Sequence, residues 1–148
     1  MLQVLRIENT IFQSNTYVLS EAGNDGVWLV DCGDVDKAIS VLKDNQFVEG
    51  CLLTHAQFDH IYGLNRLVEV FPDCMVFVAD CGVEALYSDK LNFSKYHDSS
   101  FAFKGQNIVA LTPDTQMKIC GYDVNVMPTP GHSPSCISYK VDKYIFSG

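Results

Sequence analysis

Two histidines, a carboxylate and an amide are crowded into His55-Ala56-Gln57-Phe58-Asp59-His60, directly after the apolar run Cys51-Leu52-Leu53. The whole stretch runs from Thr54 to Gly63. The apolar run reads as a buried strand. Polar groups gathered at its end need a partner to offset their desolvation, and a metal ion suits this set. Zinc and similar ions accept imidazole nitrogen and carboxylate oxygen at about 2.0–2.2 Å. His55, Gln57 and Asp59 alternate along the segment, so their side chains can converge. His60 adds a nitrogen that points elsewhere and suits a second ion. The distant segment Thr129-Pro130-Gly131-His132-Ser133 supplies one more imidazole, with Gly131 freeing the backbone to turn. The candidate metal ligands are therefore His55, Gln57, Asp59, His60 and His132. Asp59 has a competing reading as the N-cap of the helical pattern behind it.

A chain of 148 residues can bury one core, and 1–148 is read as a single partial domain. The net charge of −8 comes from 18 acids against 10 bases, without a basic cluster. Binding of nucleic acid or an anionic membrane through charge is therefore not expected. No apolar run approaches the roughly 20 residues of a membrane helix. The segment Met1-Leu2-Gln3-Val4-Leu5-Arg6 lacks the layout of a secretory signal, so the cytoplasm is the expected compartment. Six cysteines, with no Cys-x-x-Cys pair, are expected to be reduced and mostly buried.

Strands are expected at 4–8, 16–20, 27–30, 48–54, 75–79, 116–120, 124–127, 136–141 and 144–147. Asp34 is placed to cap a helix with apolar positions Val35, Ala38, Ile39 and Leu42. Ile61, Leu64, Leu67, Val68 and Phe71 mark a second helix, stopped by Pro72. Residues 83–87 read as a short helix, and 91–104 as a loop with little period. Early alternation of strands and helices, then a run of strands, indicates an α/β architecture with mixed sheets.

The chain resembles the metallo-β-lactamase-fold superfamily. The resemblance rests on Thr-His-x-x-x-Asp-His-x-x-Gly at 54–63, on Asp31-x-Gly33 and on Pro-Gly-His at 130–132. The Asp59-His60 pair looks like the glyoxalase II and general hydrolase branch rather than the antibiotic-hydrolysing one. The resemblance implies an αββα sandwich holding one or two zinc ions, with iron as the alternative metal. In that scheme His55, His132 and the residue at 57 hold one ion, and Asp59 and His60 hold the other. Asp59 then orients a metal-bound hydroxide that attacks the ester or thioester of a small-molecule substrate. Asp31 resembles a structural aspartate beside the site rather than a ligand.

Two departures bear on this. Gln57 stands where the superfamily has its second histidine, and an amide oxygen is a weaker donor to zinc. It can act as a weak ligand, as a partner to a water that replaces the ligand, or as an inactivating change. The superfamily also places an aspartate after a Ser/Thr-Gly such as Ser147-Gly148, and a further histidine later. The chain is thus expected to be a fragment, the sandwich's N-terminal half plus the first strands of the second half, with apolar faces uncovered. Help from another chain, a homo-oligomer included, is the alternative. The functional alternatives are a mononuclear iron enzyme of sulfur oxidation and a catalytically inactive binding module. His97 reads as an ordinary surface residue of the 91–104 loop. Phe93, Tyr96, Phe101 and Phe103 read as loop or core packing before substrate wall.

Overall fold

The computed structural model describes residues 1–148. Strands β1 (Leu2–Glu8) and β2 (Asn15–Glu21) form an antiparallel hairpin. Strand β3 (Gly26–Val30) pairs antiparallel with β2. Helix α1 (Val35–Ser40) leads to β4 (Phe47–Leu52), which lies parallel to β3. Helix α2 (Leu64–Val70), β5 (Met75–Ala79), helix α3 (Val83–Leu86) and β6 (Ile108–Leu111) complete a six-stranded mixed sheet in the order β1-β2-β3-β4-β5-β6. Strands β7 (Met117–Ile119), β8 (Tyr122–Pro128), β9 (Ile137–Val141) and β10 (Tyr144–Phe146) form an antiparallel sheet in the order β10-β9-β8-β7.

The two-residue period of a strand makes two cores out of the first sheet. Val27 and Leu29 of β3 pack toward the helices, with Val76 and Val78 of β5. Trp28 and Val30 pack toward the second sheet, with Phe77 and Ala79. A strand buried on both faces needs the unbroken apolar run that Val27-Trp28-Leu29-Val30 provides. The β3–β4 register shifts between Val27 and Trp28, opposite Val48 and Gly50. A Cβ at Gly50 would stand 2.4 Å from the Trp28 ring, so the indole needs a glycine there.

The layers are helices, first sheet, second sheet. This is an α/β sandwich of the αββα kind without its second helical layer, as the sequence led us to expect. The uncovered face differs from expectation in being mainly polar. Lys118, Asp123, Asn125 and Lys140 point outward, and Ile145 is the one large apolar side chain exposed on that sheet.

Several local expectations are corrected. Asp34 precedes α1 but makes no capping bond there. Its carboxylate instead accepts hydrogen bonds from the Thr10 backbone and hydroxyl and from Tyr62, and pairs with Lys37. Asp59 is not a helix cap: it lies in a 3-10 turn, Phe58–His60, and Gly63 precedes α2. Strand β6 was not anticipated, because Ile108–Leu111 is short and lacks alternation. The 91–104 loop carries Phe101 and Phe103 into the helix-side core. All six cysteines are free, but only Cys32, Cys51 and Cys74 are buried. Burial pushes the Cys74 thiol up to about 12, which suits an inert core residue.

Candidate metal centre

Parallel strands β3 and β4 end side by side, and a crevice at the carboxyl ends of such strands is a usual ligand site. Asp31 follows β3, and its backbone N–H donates to the Leu52 carbonyl at 2.9 Å. Its backbone φ of +58° turns the chain sharply, and aspartate tolerates that region. The Asp31 carboxylate then accepts three hydrogen bonds. Thr54 N–H donates to Oδ1 at 2.8 Å, Thr54 Oγ1 to Oδ2 at 2.8 Å, and His60 Nδ1 to Oδ2 at 2.7 Å. The second sheet is fastened to the same loop. Tyr139 OH donates to the Leu53 carbonyl at 2.5 Å, and Ile137 N–H to the Thr54 carbonyl at 2.8 Å. That seam brings the 129–136 loop, with His132, over His55.

The hydrogen bonds assign the histidine tautomers. Thr54 has one hydroxyl proton, and it goes to Asp31. Its oxygen therefore accepts from His55 Nδ1 at 3.1 Å, which leaves Nε2 with the free lone pair. His55 Nε2 is buried and has no partner. Asp59 Oδ1 is likewise buried and unpartnered. An unsatisfied buried polar group costs about 1–3 kcal/mol, and two on one post-strand loop are the pattern left by ligands made for a cation. Burial, then the His60 charge, hold the His55 pKa below its ordinary value.

His60 supplies positive charge between two carboxylates. Its Nδ1 faces Asp31, and its Nε2 lies 3.3 Å from Asp59 Oδ2. Burial disfavours its protonation, but the hydrogen bonds to Asp31 and Asp59 outweigh that and raise its pKa to about 10. Asp59 is the complement. Burial works against its ionisation, yet the His60 hydrogen bond and charge keep its pKa below the ordinary carboxylate value.

Gln57 and His132 engage each other: Nε2 of His132 contacts Oε1 of Gln57. An amide oxygen only accepts, so that Nε2 carries the hydrogen. The five candidates thus do not face one pocket. His55, Gln57 and His132 line a cavity of about 220 Å³ with Ala85, Leu91, Phe93 and Ser133. Asp59 and His60 line another of about 240 Å³ with Asp31, Thr54, Phe146 and Gly148. The His55 ring stands between them, its centroid 4.3 Å from His60 and 5.3 Å from His132. No three His, Cys, Asp or Glu side chains gather at ligating distance around one point. The donors fit a cation in kind, and His55 Nε2 and Asp59 Oδ1 fit it in desolvation, whereas His60 and His132 spend their ring nitrogens on Asp31, Asp59 and Gln57.

The superfamily profile described as metallo-beta-lactamase matches residues 9–148. The chain belongs to the metallo-beta-lactamase superfamily. A hydroxyacylglutathione hydrolase from Klebsiella pneumoniae is 29% identical over 143 residues, which are 93% of this chain and 47% of that protein. A probable metallo-hydrolase from Streptococcus pyogenes is 30% identical over 146 residues, 94% of this chain and 61% of its own. The chain thus spans about half the length of these relatives. Among solved structures, the B3 metallo-beta-lactamase BLEG-1 matches with a TM-score of 0.87 at 29% identity, over 100% of this chain and 71% of its own. TTHA1623, solved in a di-iron-bound form, matches at 0.76 and 23% identity, over 98% and 71%. One of these curated relatives is thus named as a hydrolase and the other as a probable metallo-hydrolase, and one structural neighbour carries two iron ions.

The network behind this candidate site was only partly visible in the motif. Ser14 Oγ donates to the Asp59 carbonyl at 2.7 Å, and Asn9 Nδ2 donates to Ser14 Oγ at 3.1 Å. Asn9 and Ser14 carried no sequence signal, because a β1–β2 turn residue acquires its partner only when β2 docks. His97 does not enter the site; its ring stacks on Phe58 at 5.4 Å.

Proposed function

We propose that the full-length protein is a metal-dependent hydrolase of a small ester or thioester, on the glyoxalase II-like branch. The observation that carries this reading is the pair of buried, unpartnered donors, His55 Nε2 and Asp59 Oδ1. His55, Asp59, His60 and His132 would hold the metal, with Gln57 beside them. Such a cation lowers the pKa of water to about 7 and polarises a carbonyl. Asp59 stays ionised at neutral pH, so its free oxygen can orient an attacking water and accept its proton. Asp31 and Thr54 hold the rings of His60 and His55 so that their remaining nitrogens face the crevice. Zinc is the expected ion and iron the alternative. The substrate is a small molecule in the cytoplasm, with no nucleic-acid or membrane partner. The acidic charge favours that, and no helix is long and apolar enough to cross a membrane. Association of copies is checked by light scattering.

The test is hydrolysis of ester and thioester substrates by metal-loaded full-length protein and its Asp59→Asn variant. Loss of general-base action should slow turnover by about 10²–10⁴-fold. An unchanged rate ends the reading. Elemental analysis after anaerobic purification separates the metals: zinc without iron rejects single-iron sulfur oxidation. Turnover of a penicillin at a rate matching the thioester would move the assignment to the lactamase branch.

A further inference from the structure

Phe93 carries two unfavourable features at once. Its backbone has φ +68° and ψ 2°, the left-handed region that aromatic side chains avoid. Its ring is 53% exposed. Neither feature contributes packing to a core, and left-handed outliers on a rigid frame are a mark of function. The frame here is rigid. The neighbours Asn92 and Ser94 are fully buried. Asn92 Nδ2 donates to the Phe101 carbonyl at 2.9 Å, and Asn92 Oδ1 accepts from Ser94 N–H at 2.9 Å. Ser94 Oγ accepts from Phe101 N–H at 2.8 Å. The Asn92 carbonyl accepts from Phe58 N–H at 2.9 Å, which ties this loop to the residue before Asp59.

The ring so presented borders the 220 Å³ cavity that holds His55 and His132. Leu91, 45% exposed, stands beside it, and Ala56 and Ala85 continue the apolar lining. The polar side is His55, Gln57, His132, Ser133 and Ser135, and no lysine or arginine lines the cavity. A substrate group placed against Leu91 and Phe93, on the side away from the imidazoles, meets apolar surface, with no lysine or arginine to hold a carboxylate or phosphate. Its size suits a phenyl ring or a short branched chain.

We infer that Leu91 and Phe93 form a specificity wall that receives an uncharged apolar acyl group of the substrate, placing its carbonyl beside His55. This rests on the hydrolase reading. The acyl group's apolar surface leaves water against the ring, so the wall selects by binding rather than by chemistry.

The experiment compares acetyl and phenylacetyl esters of one thiol on metal-loaded full-length protein and on Phe93→Asn, chosen because asparagine tolerates a left-handed backbone. The unsubstituted protein should favour the phenylacetyl ester in kcat/KM by about tenfold or more, and the variant should lose that preference through KM. The variant's melting temperature should hold or rise. An unchanged preference overturns the inference, and so does a melting temperature that falls while the preference stays. If neither ester turns over, the hydrolase reading fails by itself. Calorimetry with phenylacetate and acetate then judges the wall. Tighter phenylacetate binding that Phe93→Asn abolishes upholds it, and equal binding of the two acids overturns it.

Discussion

His132 Nε2 is held by the amide oxygen of Gln57, a residue 75 positions earlier in the chain. The contact joins the loop before β9 to the loop after β4 and occupies the nitrogen that His132 would offer to a cation. Gln57 therefore does two things: it withholds an imidazole of its own and engages a neighbour's.

Gln57→His should reverse both effects. We expect zinc affinity, measured by competition with a chromophoric chelator, to tighten by about tenfold or more. Equal affinity in the two proteins would show that Gln57 is not what weakens this subsite.

Asp31→Ala should be strongly destabilising, by about 3–5 kcal/mol in chemical denaturation. It removes the acceptor of Thr54 N–H, Thr54 Oγ1 and His60 Nδ1 together. It also frees the Thr54 hydroxyl proton, so the His55 tautomer is no longer imposed. Zinc affinity should fall with stability, and a variant of native stability would contradict the network.

Gly63→Ala tests how the crevice is closed behind His60. A Cβ there would lie 2.2 Å from the Gly33 carbonyl oxygen, a backbone atom with little freedom to move. The same residue donates its N–H to the Cys32 carbonyl at 2.9 Å, while Cys32 N–H donates to His60. Overpacking should cost about 1–3 kcal/mol and lower the melting temperature.

Asp34 supplies a pH dependence away from the candidate metal ligands. Burial works against its charge, but Lys37, Thr10 and Tyr62 hold its carboxyl well below the usual range. A depressed folded pKa stabilises the native state fully above the unfolded value and loses effect as pH falls below it. The stability difference between the unsubstituted protein and Asp34→Asn should thus be constant from neutral pH to about 5 and shrink below about 4. A difference that grows with acid would reverse the sign and reject this account.

What was legible in the sequence was the part whose cause is local. The run Val27-Trp28-Leu29-Val30 is β3 because a doubly buried strand needs apolar residues throughout. Pro72 ends the second helical pattern one residue after the cap of α2. The motif spacing from His55 to His60, with its turn, pointed to one crevice edge. Capping was misread at Asp34, and the competing cap reading of Asp59 fell with it, since a carboxylate before a helix can bond to a distant partner as well as to its own helix N–H groups. Strand β6 went unseen because four residues pair with β5 only once that edge exists.

Element order by itself pointed to the layered α/β plan, and the motif's resemblance to the superfamily named 55, 57, 59, 60 and 132 as candidate donors. Tertiary structure alone decided how those donors are used: His55 Nε2 left free, His132 facing Gln57, and two cavities divided by one imidazole ring. The reason is range. A sequence pattern records which face of a strand or helix a side chain takes, whereas hydrogen bonds between Asp31 and Thr54, or Asn92 and Phe58, arise only when separate strands dock.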